Sequence, residues 1–185
     1  MGIWRFTDMR RILGLADVAP ITATTPLPKR GKTRPAMDHV IILDGTLSSL
    51  TSGQETNAGH TFRLLREAGS ASRLSLFYEA GIQWKGWSSL PDIITGASIN
   101  DQIQRAYGFL ASRYRPGDRV FLFGYSRGGF AVRSLAGMID RLGLLRAEEA
   151  TERNIRQVFR HYRLAPNSDS ASAFRAAHCH TQVEI

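Results

Sequence analysis

The chain has 185 residues, 43% of them hydrophobic and 22% charged, and a net charge of +8. That balance belongs to a globular domain with one substantial core, and the longest aliphatic run, Val40 to Leu43, is far short of a membrane span. A single cysteine, Cys179, excludes an internal disulfide framework and a multi-cysteine zinc site.

The charge is concentrated at the start. Residues 1–37 hold seven basic side chains and two acids, a net +5. Val18 to Pro35 contains four prolines and four threonines with little periodicity, so 1–37 reads as a basic, flexible N-terminal segment ahead of a domain over 38–185. The basic balance permits contact with polyanions or a peripheral membrane surface without specifying either, and no specific nucleic-acid partner is expected. Met1-Gly2 is not a myristoylation signal, because position 6 is Phe6 rather than Ser or Thr. The N-terminus has neither the apolar stretch nor the cleavage site of a secretory signal. A cytoplasmic location is therefore expected, with secretion by a signal-free route compatible with the same sequence.

His39 to Leu43, aliphatic in its last four residues, is stopped by Asp44-Gly45, the pattern of a buried strand running into a turn. Thr56 or Asn57 is the candidate cap of a helix carrying Phe62, Leu65 and Ala68. Leu74 to Tyr78 predicts a second strand. Ile99, Ile103, Tyr107, Leu110 and Tyr114 then recur at helical spacing, with Ser98 or Asn100 as candidate cap. Arg115-Pro116-Gly117-Asp118 is a turn, Val120 to Phe123 a third buried strand, and Leu135, Met138, Ile139 and Leu142 mark the face of a following helix. Ile155, Val158, Phe159 and Tyr162 form another stripe, with Arg153, Arg156, Arg160 and Arg163 on the remaining surface. Pro166 to Ser172 breaks the pattern, a short helix runs to about Ala177, and Gln182 to Ile185 reads as the start of a further strand. Short continuous strands alternating with amphipathic helices predict an α/β fold, a mostly parallel sheet with helices on both faces.

The sharpest chemical signal is Gly124-Tyr125-Ser126-Arg127-Gly128, a G-x-S-x-G pattern directly after a strand and directly before a helix. A serine on such a turn takes a strained backbone, and the flanking glycines avoid clashes with neighbouring chain. Its Oγ is exposed and the next backbone N–H, that of Arg127, points where an oxyanion develops. Ser126 is thus the candidate nucleophile. A P-loop would need Lys-Ser or Lys-Thr after the glycines, and a dinucleotide fingerprint needs G-x-G-x-x-G; neither spacing is present. The second signal, Ile41-Ile42-Leu43-Asp44-Gly45-Thr46, is close to the D-x-D-G-T opening of haloacid-dehalogenase-type phosphatases, but Ile42 stands where their nucleophilic aspartate would be. In a serine hydrolase the same loop supplies the second oxyanion N–H, from Gly45 or Thr46, with Asp44 shaping the turn.

These residues, with Thr56-Asn57, Tyr78-Glu79-Ala80-Gly81, Tyr114 to Asp118 and Arg133-Ser134-Leu135-Ala136-Gly137-Met138-Ile139 in that order, resemble an uncharacterised α/β-hydrolase family that includes the type VI secretion phospholipase effectors. The resemblance spans about residues 39 to 185. It implies an α/β-hydrolase fold, hydrolysis of carboxylic esters including phospholipid acyl esters, and Ser126 as nucleophile, with no cofactor. The substrate would be a small-molecule or lipid ester. The family's Trp-Asp-Thr acid and its catalytic histidine are expected beyond Ile185, so the chain resembles the N-terminal two-thirds of the domain, truncated before the last strands. The exposed sheet edge this leaves predicts self-association. His39, His60, His161, His178 and His180 are each expected to be structural or exposed rather than the base, and Asp140 and Asp169 have no signal as the acid. Trp84 and Trp87 are candidates to line an acyl pocket. The competing reading is a non-catalytic remnant or binding domain that lacks the acid and histidine.

Overall fold

The computed structural model describes residues 34–45, 55–68, 73–80 and 97–185. Three parallel strands form the centre: β1 (Asp38–Leu43), β2 (Leu74–Glu79) and β3 (Arg119–Gly124), in the order β2-β1-β3. Asp38 lies opposite Leu74 on one side and Arg119 on the other, and the register continues without a bulge to Leu43, opposite Glu79 and Gly124. β1 is central and every residue in it is buried. Its side chains alternate between two apolar layers. Val40 and Ile42 pack with Ala58 and Leu65 of α1 (Asn57–Ala68). Ile41 and Leu43 join the larger cluster built with α2 (Ala97–Ala111) and α3 (Arg127–Leu142). Covering both faces explains why Val40 to Leu43 is continuously apolar; each buried aliphatic side chain contributes about 1.5–3 kcal/mol.

α4 (Glu152–Leu164) and α5 (Asp169–His178) add an outer layer against α3. Ile155 and Tyr162 of α4 press on Gly108 of α2 and Gly137 of α3, where a Cβ would come within 2.8 Å and 3.0 Å of them. Two short strands, β4 (Leu144–Leu145) and β5 (Cys179–His180), pair antiparallel and close this layer. The buried Tyr107 hydroxyl donates to the Gly143 carbonyl at 2.9 Å and accepts from the Leu145 N–H at 3.0 Å, which fixes α2 to the same corner.

The three parallel strands agree with the sequence pattern to within one residue, whereas Gln182 to Ile185, read as the start of a further strand, forms no strand, because only Glu184 pairs with the sheet. Thr56 caps α1, accepting the Gly59 N–H at 3.0 Å. Ser98 and Asn100 are not caps, because α2 begins at Ala97 and both lie within it. α5 starts at Asp169, inside the stretch read as irregular, with Ser168 accepting the Ala171 N–H at 3.2 Å. Glu184 makes a single parallel bridge to Arg119, alongside the outer edge of β3. The two-residue strands β4 and β5 have no sequence signature. Residues 1–33, Trp84 and Trp87 lie outside the described residues.

A buried carboxylate organises the end of the sheet where the strands begin. Asp118 accepts from Arg34 at 2.5 Å, the Met37 N–H at 2.8 Å, His39 Nε2 at 3.0 Å and the Arg115 N–H at 3.0 Å. Gly117, with φ of 92°, supplies the left-handed residue that lets this turn close. Burial alone would push the Asp118 carboxyl up; the hydrogen bonds from Met37, His39, Arg115 and Arg34 outweigh it and hold the group below its ordinary value. Its stabilisation is therefore complete above the unfolded carboxyl value of about 4 and is lost as pH falls through the lower folded value. Asp118→Ala should cost about 3 kcal/mol at neutral pH by leaving His39 and the Met37 amide without their acceptor. Urea unfolding of the two proteins at a series of pH values should show that difference shrinking in acid.

Candidate active site at the strand–helix turn

At the opposite end of the sheet β3 stops at Gly124 and α3 begins at Arg127, leaving Tyr125 and Ser126 to make the turn. Ser126 has φ 54° and ψ −121°, and among the described residues it alone has a positive φ without being glycine. Holding a β-carbon in that region costs on the order of 1–3 kcal/mol. The neighbours show what enforces it. The Tyr125 N–H donates to the Leu43 carbonyl at 3.1 Å, the Gly128 N–H to the Tyr125 carbonyl at 2.9 Å, and the Gly129 N–H to the Ser126 carbonyl at 3.0 Å. A Cβ on Gly128 would sit 1.9 Å from the Leu43 carbonyl oxygen, and one on Gly124 would sit 2.5 Å from the Gly128 oxygen. The turn is thus pressed between the end of β1 and the first turn of α3. Ser126 is exposed, and its side chain does not cap the helix. The N-terminus of the 16-residue α3 adds positive potential beside it.

The loop after β1 meets this turn. A Cβ on Gly45 would lie 3.0 Å from Ser126 Cβ and 3.2 Å from Tyr125 Cδ1. Asp44 is buried, its Oδ1 accepting the Gly45 N–H at 2.7 Å and its Oδ2 accepting the Thr56 hydroxyl at 2.5 Å and the Tyr78 hydroxyl at 2.8 Å. One carboxylate thereby joins the ends of β1 and β2 to the start of α1. The Gly45 amide is occupied by this bond. Thr46 lies outside the described residues, and Arg127 is the first residue of α3.

Residues 38–183 match the family described as the type VI secretion system phospholipase effector Tle1-like catalytic domain. The chain belongs to this family. It is also 34% identical over 121 residues to uncharacterized protein YEL023C of Saccharomyces cerevisiae, an alignment covering 57% of the chain and 18% of that protein. The chain therefore spans less than a fifth of the length of this curated relative. No solved structure matches the chain.

Within this Tle1-like domain four of the five histidines are engaged elsewhere. His39 is fully buried at the beginning of β1, bonded to Asp118. His161 and His178 lie with tilted rings against Phe174 of α5, with His178 Nδ1 3.1 Å from Glu149, and the His180 ring meets Tyr114 edge-on. His60 is exposed on the first turn of α1. Asp140 is fourteen positions beyond Ser126 along α3, about 20 Å at 1.5 Å per residue, and Asp169 begins α5. Among the described residues no group of three His, Cys, Asp or Glu side chains could hold a metal, and no helix is long and apolar enough to cross a membrane. Three contributing side chains have no signal in the sequence. Tyr78 reaches Asp44 from a neighbouring strand, a pairing that only sheet register reveals. Tyr125 and Phe130, 51% and 64% exposed, flank Ser126 with large apolar surface.

The contrast between adjacent glycines is testable. Gly128→Ala drives a methyl group into the Leu43 backbone and should cost at least about 3 kcal/mol. Gly129, whose Cβ would come no closer than 3.7 Å to its neighbours, should accept alanine with a gain of about 0.5–1 kcal/mol from helix propensity. Thermal unfolding of both variants checks the pair.

Proposed function

We propose that the chain is a serine-type hydrolase of carboxylic esters, directed at lipid esters, with Ser126 on a nucleophile elbow. The observation that carries this reading is the strained backbone of Ser126 between a buried strand and the start of a helix. Strain of this size persists at surface positions chiefly where function uses it. Family membership supports the substrate class, since the family's description is that of a phospholipase effector.

In the reaction Ser126 Oγ attacks the acyl carbon, its proton passing to a general base, and the carbonyl electrons move onto oxygen. The backbone N–H groups of Arg127 and Thr46 hold that oxyanion. Of the two candidates after β1, Thr46 is preferred because the Gly45 N–H already donates to Asp44. Asp44 acts as the brace of the loop, through its bonds to Thr56 and Tyr78. When the tetrahedral adduct collapses, the ester C–O bond breaks, the proton is returned to the leaving alcohol, and an acyl-serine remains for water to cleave. These steps call on no metal and no organic cofactor.

One observation favours a second reading, a binding domain without catalysis. Among the described residues Ser126 Oγ has no hydrogen-bond partner, and no described histidine is paired with it. A fluorophosphonate probe separates the two, because only an activated serine reacts. The first reading expects labelling that Ser126→Ala abolishes, together with a fall of at least about a thousandfold in ester turnover. No labelling of the folded chain supports the binding reading. Ser126→Gly provides an independent check: it should also abolish labelling while raising stability by about 1 kcal/mol through relief of the positive φ.

A further inference from the structure

The outer helix α4 presents a surface that neither the fold nor the proposed reaction uses. Its inward stripe, Ile155, Val158, Phe159 and Tyr162, packs on α2 and α3. Its outward side carries Arg153, Arg156, Arg160 and Arg163 at spacings of three, four and three, a row about 15 Å long at 1.5 Å per residue. Arg156 is paired with Glu152 at 2.5 Å, and Arg163 lies 6.0 Å from the centre of the Phe159 ring. Arg153 and Arg160 are exposed and make no ion pair among the described residues. A groove runs beside this row towards the start of α5, lined by Arg153, Arg156, Arg160, His161, Leu164 and Ser170 among others. Leu164, at the end of the helix, is 72% exposed, the largest exposure among the large apolar side chains described.

We propose that this face of α4 is a docking surface for an anionic lipid bilayer. The guanidinium groups of Arg153 and Arg160 complement headgroup phosphates, with Arg156 and Arg163 alongside, and the aliphatic stems of the row can lie along the surface with the charges directed at the lipid. Leu164 distinguishes a bilayer from a nucleic acid: an exposed leucine next to an arginine row gains by entering the acyl boundary and gains nothing against a phosphodiester backbone. Position matters too. α4 rests on Gly108 and Gly137, the latter eleven residues along α3 from Ser126, about 16 Å away. A bilayer held there concentrates the chain at the surface without requiring the Ser126 turn to be covered. The proposal concerns adsorption only and stands whether or not Ser126 is reactive.

The test is co-sedimentation of the full chain with vesicles of phosphatidylcholine alone and of phosphatidylcholine mixed with phosphatidylglycerol. Binding to the mixed vesicles alone is expected. The double variant Arg153→Glu with Arg160→Glu should lower it at least about tenfold, each basic side chain near an anionic surface being worth on the order of a factor of five. Leu164→Asp should lower it as well. A control pair with the same charge change on other surfaces, Arg115→Glu with Arg141→Glu, should bind within about twofold of the parent, and circular dichroism should show all variants folded. Equal losses for the two doubles, or no loss for the α4 double, would overturn the proposal, since the basic residues 1–37 or net charge alone would then explain adsorption. Retention on RNA but not on vesicles, abolished by the α4 double, would overturn it in favour of a nucleic-acid surface.

Discussion

The first turn of α3 is laid directly on the carbonyl of Leu43, with no side chain between them. Gly128 makes this approach possible: the position of its absent β-carbon is already claimed by the Leu43 carbonyl. Because the helix starts so close to the sheet, β3 has only two residues in which to turn into it, and Ser126 is forced into a conformation that side-chain-bearing residues rarely adopt. The exposed hydroxyl, the helix end beside it and the contact with Gly45 all follow from that one spacing. The apolar layer beneath supplies the energy that holds it, since Leu43, Ala131 and Leu135 are buried together.

The two ends of β1 are secured in different ways by the same kind of group. At its start Asp118 gathers donors from the segment before β1, from β1 itself and from the turn before β3. At its end Asp44 gathers a backbone amide and two hydroxyls. A parallel sheet needs such devices because its strands are joined by long crossovers rather than by tight turns, so the strand ends have no covalent reason to stay aligned. The salt bridge of Arg119 with Asp38, at 2.8 Å and 2.9 Å, reinforces the first end. Its guanidinium is half-exposed, and solvent discounts its contribution.

Much of this was legible in the chain itself. Continuous runs such as Val40 to Leu43 can only be buried on both faces, so the parallel sheet followed from them, and the position of Ser126 between strand and helix followed from the glycines. What escaped was whatever depends on residues distant in sequence. The Asp118 hub reaches back more than eighty positions to Arg34 and Met37, and the turn signal at Arg115 to Asp118 gave no hint of it. Likewise the sequence leaves the Gly45 amide open as a donor, while in the fold Asp44 takes it. Ser98 and Asn100 failed as caps because a good capping residue is equally tolerated inside the first turn when the helix starts earlier. The pair β4–β5 is too short to have a period at all.

Cys179 sits at that last pair, buried beneath the Tyr107 corner. Burial is the main reason its thiol is pushed up to about 11, so at neutral pH it is neither accessible nor appreciably ionised. It is also the one thiol in the chain. Any reagent that alkylates it must wait for β5 to part from β4, and the alkylation rate then reports how often this corner opens while the rest of the molecule stays folded. The chain thus contains its own single-site clock for the motion of its outer layer.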